Sequence, residues 1–298
     1  MSFSGWTDVL ENDRESNEGG FFNMNMVAVN TNTYHGFSVD EALEGIAAAG
    51  FKYVEIATVR NWTEHIMPEH SEEQKAHVKA KLKELGLKCI AMSGHCDLSD
   101  ASRLNDFRTN MKLANELGCE WIISSTGEAH FMTGEEGTED KLIENIKSIL
   151  PDLKKYGLKL GIETHGANYG TGAAVDRIVK GVGSDLVGVN YDTANVVFWG
   201  KDNPDTDLPK CVKDLNFCHL KDKIGMDSSW NFPAIGAGEL HLLDLMKTMK
   251  DNGFTAPFSI EIEYTEEFDM RDKREGDLEY VNSVVKQSFD YLKANGYV

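Results

Sequence analysis

The chain has 298 residues, 41% of them hydrophobic, and 30 Lys and Arg against 49 Asp and Glu leave a formal charge of −19. That composition supports a globule with a large core and excludes disorder and collagen-like structure. The negative field opposes a nucleic-acid partner or an anionic membrane surface.

Residues 1–22 read as a polar leader and 23–298 as one domain. No run approaches the ~20 apolar residues of a bilayer span. The start of the chain is acidic and lacks an apolar signal core, so a cytoplasmic protein is expected. Past the leader, short β-branched or apolar runs alternate with amphipathic stretches. Strands are expected at 26–30, 53–57, 88–93, 121–125, 159–163, 187–192, 216–220 and 258–263. Helices are expected at 38–49, 71–85, 102–117, 138–156, 173–181, 205–213, 240–252 and 278–294, several closed by Gly86, Gly118, Gly157 or Gly253. Ala49-Gly50-Phe51-Lys52-Tyr53, Leu85-Gly86-Leu87-Lys88 and Leu117-Gly118-Cys119-Glu120 repeat one joint, a helix stopped by glycine and followed at once by a strand. Eight such units fit a single (β/α)8 TIM barrel. No Gly-x-Gly-x-x-Gly follows the first strand, which argues against a doubly wound dinucleotide-binding sheet.

Five cysteines, Cys89, Cys96, Cys119, Cys211 and Cys218, form an odd set without a Cys-x-x-Cys pair. They read as reduced, packed thiols, with Cys96 the one placed near the barrel mouth.

Chemistry in such barrels collects at the C-terminal ends of the strands, where the βα loops meet. The fifth strand ends Ile162-Glu163-Thr164-His165, the sixth Asn190-Tyr191-Asp192-Thr193, the seventh Cys218-His219-Leu220-Lys221-Asp222 and the eighth Ile260-Glu261-Ile262-Glu263. Residues two apart share a face, so Glu163 pairs with His165, Asn190 with Asp192, His219 with Lys221, and Glu261 with Glu263. If that face lines the mouth, Glu163, Asp192, His219 and Glu261 converge. Three carboxylates at one point repel unless a divalent cation sits among them.

These residues carry a resemblance. Ile162-Glu163-Thr164-His165-Gly166, Val189-Asn190-Tyr191-Asp192-Thr193-Ala194-Asn195, Cys218-His219-Leu220-Lys221-Asp222, Gly236-Ala237-Gly238-Glu239 and Ser259-Ile260-Glu261 resemble motifs of the xylose isomerase-like TIM-barrel superfamily, over about residues 24–296. That group includes sugar-phosphate isomerases and epimerases, ketose 3-epimerases, inosose dehydratase and endonuclease IV. The resemblance implies Glu163, Asp192, His219 and Glu261 as ligands of one divalent cation, Mn²⁺ first, with Mg²⁺, Co²⁺ or Zn²⁺ as alternatives. It also implies Glu163 and Glu261 as acid/base groups, with Glu263 the alternative to Glu261. Two departures matter: members of the endonuclease and ketose 3-epimerase branches place His where this chain has Asn195, and the 3-epimerases place Arg beyond the seventh-strand His, where this chain has Lys221-Asp222.

The activity implied is that of an isomerase or epimerase removing a proton α to the carbonyl of a keto-sugar or sugar derivative through a metal-stabilised ene-diolate. The alternatives are a lyase of the same superfamily, inosose dehydratase-like or releasing the aglycone of a 3-keto-glycoside with a partner subunit, and a non-catalytic sugar-binding barrel. A homo-oligomer is compatible with either enzyme. His95, His165 and Asn195 are placed at the mouth as candidate substrate contacts, His165 otherwise being a packed rim histidine. Lys221 either holds a substrate oxygen or bridges to Glu261, Glu263 or Asp222. Trp62, Phe131, Phe198, Trp199, Trp230 and Phe232 fall in top-face loops, with Trp62 and Trp230 taken as sugar-contacting and half of the set expected only to pack. The amides of Gly236-Ala237-Gly238 are positioned to approach a ligand, but the loop from Tyr264 to Asp269 is acidic, which favours an unphosphorylated carbohydrate.

Overall fold

The computed structural model describes residues 25–127, 138–263 and 277–298. The leader, Phe131 and the acidic loop from Tyr264 lie outside them. Eight parallel strands close into a barrel in sequence order: β1 (Val27–Asn30), β2 (Tyr53–Ala57), β3 (Lys88–Ser93), β4 (Trp121–Ser124), β5 (Lys159–Glu163), β6 (Val187–Asp192), β7 (Leu215–Leu220) and β8 (Phe258–Ile260). β1 hydrogen-bonds to both β2 and β8, so no sheet edge is left. Around them run α1 (Val39–Ala49), α2 (Glu72–Glu84), α3 (Leu104–Glu116), α4 (Glu139–Tyr156), α5 (Gly172–Val182), α6 (Asn195–Phe198), α7 (Pro204–Cys211), α8 (Leu242–Asp251) and α9 (Asp277–Ala294). The chain therefore forms the single (β/α)8 barrel expected.

Local chemistry explains where the helices begin and end. Ser38 and Ser71 each accept from the third helical amide while Glu41 and Gln74 reach back to the cap amide, completing two capping boxes. In α4, Leu142, Ile146, Ile149 and Leu153 recur every three or four residues and are all buried, each contributing roughly 1.5–3 kcal/mol by leaving water. Gly157 then ends the helix at φ 66°, a conformation in which a Cβ is strained, and its N–H caps Leu153 and Lys154 carbonyls. Among the described residues no helix is long and apolar enough to cross a membrane.

The departures from expectation have physical causes. The eighth strand stops at Ile260 rather than running to Glu263. Glu261 N still donates to Leu220 O, but Ile262 N donates to the Thr33 hydroxyl, so a side chain takes over from the ladder. Two short helices escape the periodicity because each is a single turn, Thr31–Tyr34 (3₁₀) and α6. The expected helix at 205–213 divides into α7 and a 3₁₀ turn, Val212–Asp214.

Inside the barrel the register staggers the strand ends. Glu163 lies level with Asn190, Asp192 with His219, and His219 with Ser259. Phe217, two residues below His219 on the same face, packs against Trp121 at 6.0 Å between ring centroids, forming an apolar floor under the polar mouth.

Candidate active site

Glu163, Asp192, His219 and Glu261 are all buried, and one ligand atom from each lies within 4.8 Å of the others. Backbone direction and neighbouring donors orient them. Asp192, last residue of β6, has its Oδ1 held by the Ala194 and Asn195 amides at 2.9 Å, where α6 begins. Its Oδ2 is buried and accepts no hydrogen bond. Glu261 Oε1 accepts from Asn30 Nδ2 at 3.2 Å and Asn32 Nδ2 at 3.0 Å, which leaves Oε2 facing the cluster. Glu163 Oε1 accepts from Asn195 Nδ2 at 3.0 Å and lies 3.3 Å from His219 Nδ1, while Oε2 lies 3.3 Å from His95 Nε2.

Lys221, 2% exposed at its side chain, crosses this floor. Its Nζ lies 2.6 Å from Glu263 Oε2, 2.8 Å from Glu261 Oε2 and 3.4 Å from Asp192 Oδ2. Of the three bridges weighed from sequence, those to Glu261 and Glu263 form. Asp222 points elsewhere: its Oδ2 accepts from the Gly236 and Gly238 amides at 2.9 Å and its Oδ1 from Lys223 N. The glycine-turn amides expected to approach a ligand are thus occupied by the chain's own carboxylate.

Burial and the charge cluster set the titration behaviour together. Burial pushes Asp192 up to about 6 and Glu163 above the usual carboxylate range. Burial acts the same way on Glu261, but Lys221 and His219 outweigh it and hold that carboxyl at about 2. Glu263, desolvated and beside Glu261, rises to about 7 despite Lys221. Burial disfavours charge on His219, yet the carboxylates around it, Glu55 first, raise it well above its ordinary value. His95 is lowered to about 4, by burial and then by His219. A neutral ring fits its contacts, since Nδ1 accepts from Ser125 N at 3.2 Å and Nε2 is left to donate to Glu163.

A cleft opens above the cluster. Trp62, His95, His165, Asn195, Lys221 and Trp230, all expected near substrate, line it together with Glu163, Glu261 and Glu263. Trp199 joins them and packs against His165 at 4.9 Å between centroids. Trp62 stacks on His35 at 4.3 Å and donates from Nε1 to Asn32 Oδ1. Phe232 packs instead: it is fully buried, with Lys221 Nζ 4.9 Å from its ring centre and Trp230 against its edge. Phe198 likewise packs behind Trp199 and Trp230. All five cysteines are buried thiols outside any disulfide, Cys96 included.

Sequence reasoning missed three residues. Glu55 in β2 is completely buried with both oxygens about 3 Å from His219 Nε2. Its signal was a carboxylate on the inward face of Tyr53-Val54-Glu55-Ile56-Ala57. Asn30 and Asn32 orient Glu261 from the end of β1 and the following 3₁₀ turn, where nothing in the local pattern marks them.

The donor set suits a divalent cation. Carboxylate oxygens and one imidazole nitrogen are ligands that divalent cations take, and the buried Asp192 Oδ2, which accepts no hydrogen bond, is the kind of acceptor a cation would complete.

Solved structures with the same fold include a D-psicose 3-epimerase in the presence of D-fructose, 15% identical with a TM-score of 0.71, covering 92% of this chain and 100% of that one. The D-allulose 3-epimerase of Methylomonas sp. in complex with D-allulose is 14% identical at a TM-score of 0.70, over 91% and 97% of the two chains. A xylose isomerase-like TIM barrel protein of Mycobacterium smegmatis in complex with magnesium is 16% identical at 0.66, over 89% and 98%. No curated protein matches the chain. The family described as xylose isomerase-like TIM barrel matches residues 43–293, most of the chain. With barrel closure and the cluster at its mouth, that match makes this chain a member of the xylose isomerase-like TIM-barrel family.

Proposed function

We propose that the chain is a divalent-metal-dependent isomerase or epimerase of an unphosphorylated keto-sugar, with Glu163, Asp192, His219 and Glu261 holding the cation, Mn²⁺ in preference to Mg²⁺. The observation that carries this is the buried four-residue cluster on the floor of a cleft walled by tryptophans. Fold relatives that are ketose 3-epimerases support the reaction class. When bound, the cation would polarise the substrate carbonyl and offset the negative charge that develops on its oxygen.

The chain's own residues supply the proton transfers. Glu163 and Glu261 reach the cluster from β5 and from the end of β8, three strands apart, and so approach a bound sugar from two sides. One carboxylate takes the proton from the carbon next to the carbonyl, and the C–H electrons pass into a C=C bond as the carbonyl oxygen becomes anionic. The other carboxyl delivers a proton, to the opposite face for epimerisation or to the neighbouring carbon for isomerisation. His95 and Asn195 hold Glu163, and Asn30 and Asn32 hold Glu261, which fixes both oxygens relative to the sugar. Trp62, Trp199 and Trp230 offer flat apolar faces that cover the sugar and exclude water.

Charge favours a neutral substrate. Among the described residues lining the cleft, Lys221 is the only lysine or arginine, and it faces three carboxylates. A phosphate would add two negative charges with no cationic side chain left among the described lining residues to receive them.

Incubating Mn²⁺-loaded protein with unphosphorylated ketoses in D₂O tests the proposal. One deuteron should enter at the carbon next to the carbonyl, with a new epimer or aldose and an unchanged hydroxyl count. Loss of water or of an aglycone instead assigns a lyase, and sugar binding without exchange assigns a non-catalytic barrel.

A further inference from the structure

Glu55 has no part in the proton transfers, yet it is a carboxylate with no solvent exposure inside the barrel. Among the described residues its hydrogen bonds go to His219 alone, with Oε1 and Oε2 lying 3.1 and 3.0 Å from Nε2. The opposite ring nitrogen faces the cluster: Nδ1 lies 3.3 Å from Glu163 Oε1, 3.8 Å from Glu261 Oε2 and 4.0 Å from Asp192 Oδ2. β2 and β7 are not neighbours in the barrel, so this contact spans its interior. The imidazole is strung between one carboxylate on its far side and three on its near side.

We propose that Glu55 is a positioning residue that fixes the tautomer and rotation of His219, so that the Nδ1 lone pair is presented to the dication. This rests on the reading that the cluster holds one. Glu55 offers Nε2 an acceptor at 3.0 and 3.1 Å, so a hydrogen on Nε2 donates to it, and Nδ1, which faces the cluster, is then the nitrogen left to ligate. Among the described residues no other side chain hydrogen-bonds Nε2. The alternative places a hydrogen on Nδ1, pointing at Glu163, and withdraws the lone pair.

Two variants and two readouts test this. Glu55→Leu removes the acceptor and keeps most of the volume. Glu55→Gln keeps an amide oxygen that still accepts from Nε2–H without the charge. Mn²⁺ affinity, measured calorimetrically, should fall about 100-fold in Glu55→Leu and about 10-fold in Glu55→Gln, the two ends of the range for losing a partner of a metal-bound histidine. In ¹H–¹⁵N spectra of the Mg²⁺-loaded wild type, His219 should show a protonated Nε2 and an unprotonated Nδ1. That signature should survive in Glu55→Gln and give way to mixed tautomers in Glu55→Leu, a change that mere loss of packing would not produce. If Glu55→Leu does not fold, Glu55→Gln still decides the matter through its affinity. Affinities within about twofold of wild type in every folded variant would overturn the role of Glu55 while leaving the cation site standing. A wild type that binds no Mn²⁺ or Mg²⁺ would remove both.

Discussion

Replacing Lys221 with methionine asks whether charge holds the floor of the cleft together. The ammonium lies 2.6, 2.8 and 3.4 Å from oxygens of Glu263, Glu261 and Asp192, and the side chain is 2% exposed. Methionine keeps most of the volume and deletes the charge, so in chelator-treated protein the carboxylates face one another without this counter-ion. Deleting one partner of a buried ion pair costs about 3–5 kcal/mol. In a chain of this size each kcal/mol moves the melting temperature by about 2 °C. A fall of roughly 6–10 °C is therefore expected in EDTA at pH 8, read by scanning fluorimetry and checked against urea midpoints. Saturating Mn²⁺ should remove most of that difference, because a dication drawn to Asp192 and Glu261 supplies the charge that Nζ supplied. Lys223→Met is the control. Its Nζ is also buried, but it donates to the Ile224 and Ser229 carbonyls, so whatever stability it loses should not return with Mn²⁺. Melting of Lys221→Met within about 2 °C of wild type in EDTA would refute the electrostatic argument.

Other consequences can be checked independently. Asp192→Asn keeps an oxygen for the Ala194 and Asn195 amides but loses the charge on the unsatisfied Oδ2, so stoichiometric Mn²⁺ measured by elemental analysis after dialysis should disappear while the fold persists. Gly238→Ala would set a Cβ 2.2 Å from Asp222 Oδ1 and 2.7 Å from Lys223 N. Prising that carboxylate from its amides should cost about 3 kcal/mol in urea unfolding, and an unchanged midpoint would mean that the loop absorbs the methyl. His65 is lowered to about 4, chiefly by burial, with Nδ1 2.8 Å from the Thr31 hydroxyl and Nε2 3.2 Å from Phe37 O. The native ring refuses a proton that the unfolded ring takes below pH 6.5, so stability is full above 6.5 and falls as the pH drops towards 4. At 1.36 kcal/mol per unit the loss is about 3 kcal/mol. His65→Gln should lose that much less than wild type between pH 7 and 4, and parallel profiles would show that His65 is not the titrating group.

The barrel was legible because its punctuation is local. Glycine joints after α1, α2 and α3 mark where each following strand begins, and all eight strand starts fall within a residue of expectation. The eighth strand overran because Phe-Ser-Ile-Glu-Ile-Glu keeps its alternation to Glu263. What ends the ladder is a threonine more than two hundred residues away, invisible to any window on that segment. Glu163, Asp192, His219 and Glu261 were legible for the same reason as the strands: each stands within one residue of a strand's C-terminal end, on the inward face.

Their supporting partners were not, because an anionic cluster draws its donors from across the barrel. Glu55 sits one pleat below the mouth on β2, and a rule that inspects only strand ends passes over it. Asn32 serves two purposes from a 3₁₀ turn, its Nδ2 on Glu261 and its Oδ1 accepting from Trp62 Nε1, and neither partner lies near it in sequence. Lys221 was assigned a choice of bridges, but the one to Asp192 was not weighed, since β6 and β7 are level only once the register is known. His95 and Asn195 illustrate the same limit from the other side. Both line the cleft as expected, yet each has a nitrogen turned to Glu163, so their polar groups are divided between that carboxylate and whatever enters from above. The Asn195 amide donates to Glu163 at 3.0 Å from the first turn of α6. An amide in that place orients the Glu163 carboxylate without adding a group that changes charge near neutral pH.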